Sequence, residues 1–217
     1  MSDVQDMAGG TQTSYPARLD VEYPEAGLSR VKTLFRIVLL IPIAILAGLV
    51  TGQFGGIGLD DSEGWRGLVG GALFLPTLLM ILFRQKYPRW WFDWNLEITR
   101  FTTRVGAYFG LLREEYPSTD EQQAVRLELD YPDVSRDLNR WLPIVKWILA
   151  IPHYIVLAIL WVAAILSVVI SWFAIIFTGR YPRGLFNFVV GVDRWTLRVW
   201  AYMWLLITDR YPPFSLK

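Results

Sequence analysis

The chain has 217 residues, of which 53% are hydrophobic, and its mean hydropathy is +0.33. The apolar residues form long blocks, which is typical of a membrane protein. The 21 Lys and Arg residues nearly balance the 20 Asp and Glu residues, whereas a nucleic-acid-binding protein normally carries a clear basic excess. Because the chain has no Cys, disulfides, thiolate catalysis and thiolate metal sites are excluded.

The first elements along the chain are a polar tail and a short strand. Residues 1–14 lack the pattern of a signal peptide, and we interpret them as a disordered cytoplasmic tail. Residues 17–23 alternate between apolar and charged side chains, which predicts a half-buried strand ended by Pro24. Residues 125–131 repeat this pattern. Since a lone strand leaves its backbone groups unpaired, we expect the two strands to pair with each other or across subunits.

The strand belongs to a longer segment that occurs twice. Each copy has Tyr-Pro after the strand, then a basic patch, an apolar block with Ile-Pro, a Tyr-Pro-Arg triplet and an Arg-x-Thr-x-Arg sequence that leads to a final Tyr-Pro. This order predicts a tandem duplication. We therefore divide the chain into the tail, a first unit (residues 15–117) and a second unit (residues 118–217).

The apolar blocks predict two membrane spans in each unit. In the first unit, residues 37–59 and 67–83 are the predicted spans, joined by an acidic turn at 60–64. In the second unit, residues 141–177 would form a helix of about 55 Å, too long for a bilayer core of about 30 Å, so we expect a reversal near 161–164. The predicted fold class is a mainly α integral membrane protein with four transmembrane helices, arranged as two tandem hairpin units.

A further helix is predicted at the end of each unit, in residues 90–112 and 185–207. Its charged residues in the second unit, Asp193, Arg194 and Arg198, would each cost about 2.5 to 3.5 kcal/mol at the bilayer centre. We therefore expect an amphipathic helix that lies in the membrane interface. Basic residues flank both hairpins on one side, which predicts that both termini, both strands and both interfacial helices are cytoplasmic.

The interfacial helices carry the candidate binding residues. Each has two arginines one helical turn apart, which suit contact with anionic headgroups. The alternative is that these arginines pair with Asp93, Glu97, Asp193 or a neighbouring helix. Trp side chains on the same helices fit an aromatic belt. The predicted lipid-headgroup or partner contacts are Arg100, Arg104, Arg194, Arg198, Trp94 and Trp195.

Catalytic chemistry finds little support in the sequence. The single His, His153, lies near the start of a predicted span, where it fits either a proton relay or an interfacial hydrogen bond. One His without Cys offers no metal-ligand cluster, and no Gly-rich phosphate loop follows a strand. We therefore predict a non-enzymatic protein with no catalytic, cofactor-binding or metal-binding residues.

The repeated pattern resembles a bacterial membrane family called domain of unknown function 4389. The pattern comprises the strand with Tyr-Pro, the basic patch, the Ile-Pro span, Tyr-Pro-Arg and Arg-[Phe/Trp]-Thr-x-Arg-Val-x-Ala-Tyr, and it covers nearly the whole chain as two copies. The resemblance implies a multi-pass protein of the bacterial cytoplasmic membrane. It implies no activity and supplies no functional residues.

Two functions follow as expectations. The first is an accessory or scaffold protein that contacts lipid headgroups or a larger membrane complex through its cytoplasmic interfacial helices. The second is a small-solute or ion transporter or channel formed by the pseudo-symmetric hairpins as an oligomer, although the spans lack the charges that such paths usually carry. The expected partners are membrane lipids and either a membrane complex or further copies of the chain, without nucleic acid.

Overall fold

The computed structural model describes residues 15–51, 75–118 and 123–217 of the chain. This part is mainly helical. The elements are β1 (Ala17–Val21), α1 (Arg30–Thr51), α2 (Leu75–Arg84), α3 (Arg89–Phe109), β2 (Val125–Leu129), α4 (Val134–Asp137), α5 (Leu142–Leu149), α6 (Ile151–Thr178) and α7 (Arg183–Met203). The predicted tail, the predicted turn at 60–64 and the start of the predicted second span lie outside the described residues.

The two strands pair with each other, as predicted. β1 and β2 form an antiparallel two-stranded sheet in which Leu19 lies opposite Leu127. Burial alternates along both strands, so Leu19 and Leu127 face the core while the charged residues face outward. On the outer face, Arg18 forms an ion pair with Glu128 at 3.3 Å, and both side chains are exposed. The sheet therefore has one apolar and one charged face.

The helices cover the apolar face of the sheet in two layers. α7 packs on β1 and α3 packs on β2, which forms a middle layer of two helices. α6 packs on α7, α1 packs on α3, and α1 and α6 also contact each other in the outer layer. The start of α1 lies against the end of α6, since Leu28 N–H donates to Gly179 O at 2.8 Å. The core lies between the sheet and these two helix layers.

Helix α6 corrects the predicted second hairpin. Residues 151–178 form one continuous helix of 28 residues, so the predicted reversal at 161–164 is wrong. No Gly or Pro in that stretch interrupts the backbone hydrogen bonds, and the chain instead breaks at Ala150, between α5 and α6. Pro152 lies in the first turn of α6, where its missing N–H has no helical partner to lose. Among the described residues, α6 is the one helix long and apolar enough to cross a membrane.

Helix α7 corrects the predicted interfacial placement. The helix forms near the predicted position, but the apolar side chains expected to face lipid are buried within the protein. Val199 and Tyr202 are buried, as is Leu206 just beyond the helix. α7 is covered by α6 on one side and by β1 on another. The sequence pattern identified an apolar stripe correctly, but its partner is the protein and not the membrane.

Candidate functional site

The arginines predicted to bind headgroups hold the helices to the sheet. Arg194 Nε donates to Leu19 O at 3.0 Å, and Arg100 Nε donates to Leu127 O at 3.1 Å. The two carbonyls belong to residues that lie opposite each other in the sheet. Each arginine therefore reaches from the helix of one unit to the strand of the other unit.

The second arginine of each pair binds the chain segment that follows its helix. Arg104 donates to Ser118 O at 2.7 Å, and Arg198 donates to Ser215 O at 3.2 Å and to Lys217 O. Of the carboxylates expected as partners, Glu97 binds Arg100 at 2.6 Å. Charged donors bound to carbonyls are stronger than neutral hydrogen bonds. These contacts favour the structural interpretation of the arginines over headgroup binding.

The Tyr-Pro sequences form a second set of crossed contacts. Tyr23, which follows β1, donates its hydroxyl to Tyr181 O, and Tyr131, which follows β2, donates its hydroxyl to Tyr87 O. Arg183 lies 4.8 Å from the ring centroid of Tyr23, and Arg89 lies 4.9 Å from that of Tyr131. Positions that match in the sequence therefore make matching contacts in the structure.

The two candidate tryptophans have different environments. Trp94 is 53% exposed on α3 and remains available for contact with a lipid or a partner. Trp195 is 5% exposed, and its Nε1 donates to Nδ1 of His153 at 3.1 Å. Because the indole of Trp195 is enclosed by protein, the structure favours a packing role for Trp195 over the predicted headgroup or partner contact.

The environment of His153 bears on the proton-relay hypothesis. The imidazole is fully buried and stacks on Phe214 with ring centroids 4.1 Å apart. Since Nδ1 accepts a hydrogen bond from Trp195, the proton of the neutral ring lies on Nε2. Within the described ranges, Nε2 has no hydrogen-bond partner. A relay needs such a partner, so the geometry favours a structural histidine that joins α6, α7 and the C-terminal segment.

Two basic residues expected at the surface are instead buried. Lys146 is 0% exposed; its Nζ lies 2.7 Å from Asp209 Oδ1 and donates to Thr208 O at 2.8 Å. Burial lowers the pKa of the Lys146 ammonium, and the adjacent Asp209 opposes this shift. Lys146 thereby fixes the C-terminal segment to α5.

Arg36 occupies the matching position on α1. It is 3% exposed, donates to Tyr108 O at 3.2 Å and lies 4.5 Å above the Tyr108 ring. In the described part of the chain, its Nε has no hydrogen-bond partner. Unlike Lys146, Arg36 therefore keeps an unused donor in a buried position.

An apolar groove separates α1 from α6 beside Arg36. Its volume is about 350 Å³, and its wall is almost entirely apolar. The groove is lined by Thr33, Arg36, Leu40, Phe109, Leu111, Val168, Val169, Trp172 and Phe173. Its size is within the usual range for a small-molecule or lipid-chain site.

A partly buried carboxyl, that of Asp193, lies directly before Arg194 on α7. Burial raises the pKa of Asp193 to about 7. No described residue forms an ion pair or hydrogen bond with this carboxyl, and the adjacent Arg194 is directed to the sheet. We therefore expect the ionised form of Asp193 to destabilise the folded protein.

Replacement of Asp193 with Asn should raise the melting temperature more at pH 8 than at pH 4. The folded pKa of about 7 lies above the ordinary value of 3.8. The free energy of unfolding is therefore highest below pH 3.8, where the carboxyl is protonated in both the folded and the unfolded state. It decreases as the pH rises to about 7, by about 1.4 kcal/mol for each unit of pKa shift. Thermal unfolding of the purified protein at the two pH values measures this difference.

Asp20→Asn is the matched control, since Asp20 is an exposed strand carboxylate. We expect it to change the melting temperature little at either pH. An equal effect of Asp193→Asn at pH 4 and pH 8 would show that the carboxyl is not destabilising when ionised.

Comparison with known proteins adds one family match. Residues 141–215 match the model of a family described as "Domain of unknown function (DUF4389)". The match supports the resemblance found in the sequence for this part of the chain, which contains α5, α6, α7 and most of the C-terminal segment. No curated protein and no solved structure matched the chain.

The residues matched by DUF4389 include the groups that join the helices of the second unit. Lys146, His153, Arg194 and Arg198 all lie within it. No cluster of His, Asp or Glu placed to hold a metal ion occurs in the ranges that the structure describes. The DUF4389 region thus contains buried structural contacts, and its family description assigns it no activity.

The buried roles of Arg36 and Lys146 were not predicted from the sequence. Both residues lie in the basic flanks of the predicted membrane spans, where exposed side chains are expected. A signal was present, since each is a single cation within an apolar stretch, at the same distance before Ile-Pro in its unit. A cation repeated at one position of an apolar helix face indicates a buried contact.

Proposed function

We propose that this protein is a non-enzymatic membrane accessory or scaffold protein that binds lipid through its outer helix layer. The observation that carries the proposal is the exposed apolar surface of α6 and α1. On α6 it includes Ile155, Ile159, Val162, Leu166, Ile170 and Phe177, and on α1 it includes Leu34, Phe35, Leu39 and Ile45. Large contiguous apolar surfaces on proteins mark contact with a membrane or another protein.

The packing of α6 favours a helix that lies in the plane of the membrane. The middle of α6 faces the middle of α7, since Trp161 Nε1 donates to Thr196 Oγ1 at 3.1 Å. The middle of α7 in turn binds the sheet through Arg194. A perpendicular α6 would therefore place the sheet near the depth of the bilayer centre, where each exposed charge costs about 2.5 to 3.5 kcal/mol.

An in-plane arrangement removes this cost. The apolar outer layer then contacts the lipid chains, and the charged face of the sheet points to water. The length of α6 agrees with it, since 28 residues extend about 42 Å, beyond a hydrocarbon core of about 30 Å. We propose this arrangement in place of the four-span topology, with the charged sheet on the cytoplasmic side.

We also propose that the chain is a tandem duplication whose units are intertwined. The crossed pairs support this: Arg100 and Arg194 bind opposite residues of the sheet, and Tyr23 and Tyr131 bind matching carbonyls. Because the four arginines bind backbone carbonyls, this proposal assigns lipid contact to the apolar outer helix layer and not to the arginines. The charged face of the sheet remains as a surface for a partner in a membrane complex.

Single cysteines test the orientation, because the natural chain contains none. Spin labels at Ile155→Cys, Leu166→Cys and Phe177→Cys would report three exposed positions on one face along α6. In vesicles, we expect all three labels at similar shallow depth, as measured by collision with oxygen and with a water-soluble relaxation agent. The proposal requires that the three labels lie at nearly the same depth in the membrane.

A label at Asp20→Cys on the sheet is the control and should remain in water. A label at position 166 near the bilayer centre, with 155 and 177 near opposite surfaces, would instead establish a spanning helix. Failure of the wild-type chain to float with vesicles would remove the membrane function altogether.

A further inference from the structure

The groove between α1 and α6 combines an apolar wall with one cationic end. Leu40 and Val168 lie towards the middle of the two helices, while Thr33 and Arg36 lie near the start of α1. Trp172 Nε1 donates to Thr33 O at 3.4 Å, which joins the helices at the polar end. The groove therefore matches the layout of a lipid, which has a charged headgroup at one end and an apolar chain.

Two buried polar groups at this end have unused hydrogen-bonding capacity. Thr33 is 0% exposed, and neither its Oγ1 nor the Nε of Arg36 has a hydrogen-bond partner among the described residues. Buried polar groups without partners are rare in proteins and each has a free-energy cost. A bound anion would satisfy both groups, since guanidinium and hydroxyl are good donors to a phosphate oxygen.

In the second unit, a buried cation is neutralised by a carboxylate of the protein. At the position matching Arg36, Lys146 has Asp209 at 2.7 Å. No carboxylate of the described residues forms an ion pair with Arg36. Glu114 contributes to its electrostatic environment, but its carboxylate accepts the backbone N–H of Ser29 and lies 4.0 Å from Lys32 Nζ. The buried cation of the first unit therefore has no carboxylate of the described residues as its ion-pair partner, in contrast to Lys146.

We propose that this groove binds one acyl chain of an anionic phospholipid, with the lipid phosphate on Arg36 and Thr33. The acyl chain lies along Leu40, Val168 and Val169. This inference rests on the proposed membrane function, because the groove opens between the two helices whose apolar faces contact lipid. The protein then selects lipids by charge at one site in addition to binding the membrane surface.

Lipid retention by the full chain tests the site. The protein in neutral detergent is mixed with phosphatidylglycerol or phosphatidylcholine of identical acyl chains, and bound lipid is counted by native mass spectrometry. We expect one phosphatidylglycerol to be retained in preference to phosphatidylcholine. Arg36→Gln should weaken that retention about tenfold or more, since a charged hydrogen bond is lost.

Two further variants keep the test decisive if Arg36→Gln unfolds. Val169→Trp narrows the groove from a half-exposed position without changing charge, and it should also lose the lipid. Lys32→Gln removes an exposed cation from the same helix and should retain phosphatidylglycerol like the wild type. Equal retention of both lipids, or equal retention by Arg36→Gln and Lys32→Gln, would overturn the site.

Fatty acids and vesicles separate the remaining outcomes. Retention of a free fatty acid without retention of phosphatidylglycerol would overturn the phospholipid assignment. Arg36→Gln should still float with vesicles, because the outer apolar layer is intact. Lost flotation of a folded Arg36→Gln variant would show that Arg36 acts in general membrane binding and would overturn the selective site, whereas lost flotation of the wild type would overturn the proposed function itself.

Discussion

Replacement of Lys146 with Met is expected to lower the free energy of unfolding by about 3 to 5 kcal/mol. The variant leaves Asp209 without its cation and Thr208 O without its donor, in a place where Lys146 is fully buried. A buried charge that loses its partner cannot recover full hydration. Chemical unfolding in detergent measures the loss, and limited proteolysis should detect release of the C-terminal segment.

The double variant Lys146→Met with Asp209→Asn distinguishes pairing from packing. Because it removes both charges, it should lose less stability than the sum of the two single variants. Lys32→Met is the matched control, since Lys32 is exposed and 4.0 Å from Glu114; it should lose no more than about 1 kcal/mol. A loss for Lys146→Met as small as that of Lys32→Met would show that the buried ion pair does not hold this segment.

Replacement of Gly27 with Ala is expected to destabilise the protein by about 2 to 4 kcal/mol. Gly27 has φ +80°, a left-handed conformation that an L side chain adopts at a cost. A Cβ there would lie 2.9 Å from Gly179 O, the carbonyl that accepts the N–H of Leu28. Because the new Cβ would be attached directly to the backbone and would meet a backbone oxygen, the contact could be relieved only by a backbone shift. Thermal unfolding measures the effect.

Gly184→Ala is the matched control for this substitution. Gly184 lies in the first turn of α7, is exposed and has no atom within 4 Å of a new Cβ. Its replacement should leave stability unchanged or increase it by up to about 1 kcal/mol, because Ala restricts the unfolded chain. Equal effects of the two substitutions would contradict the close approach of residues 27 and 179.

Local patterns in the sequence predicted much of the secondary structure. The period-two alternation in residues 17–23 and 125–131 predicted both strands and their buried faces, and the need to pair backbone groups predicted the sheet. The apolar stripes of α3 and α7 predicted these helices within a few residues. These features depend on side-chain periodicity, which a single sequence displays directly.

The positions of the helices relative to one another could not be predicted in this way. An apolar stripe does not say whether its partner is lipid or protein, so Trp195 was assigned to an interface although it packs on His153. The expected reversal near 161–164 follows from a single perpendicular helix of about 55 Å over residues 141–177, whereas the chain breaks at Ala150 and α6 continues straight for about 42 Å. Likewise, the carbonyls that bind the arginines are backbone atoms, which carry no residue-specific signal in the sequence.

The crossed contacts between the units also determine when the chain can fold. Arg194 and the carbonyl of Leu19 are 175 residues apart, and Tyr23 and the carbonyl of Tyr181 are 158 residues apart. During synthesis from the N-terminus, β1 therefore has no strand or helix to pack on until most of the chain has left the ribosome. The apolar helix α6 is made before α7 can cover its inner face. In the proposed in-plane arrangement, the membrane surface would cover the exposed apolar faces of the incomplete chain during synthesis.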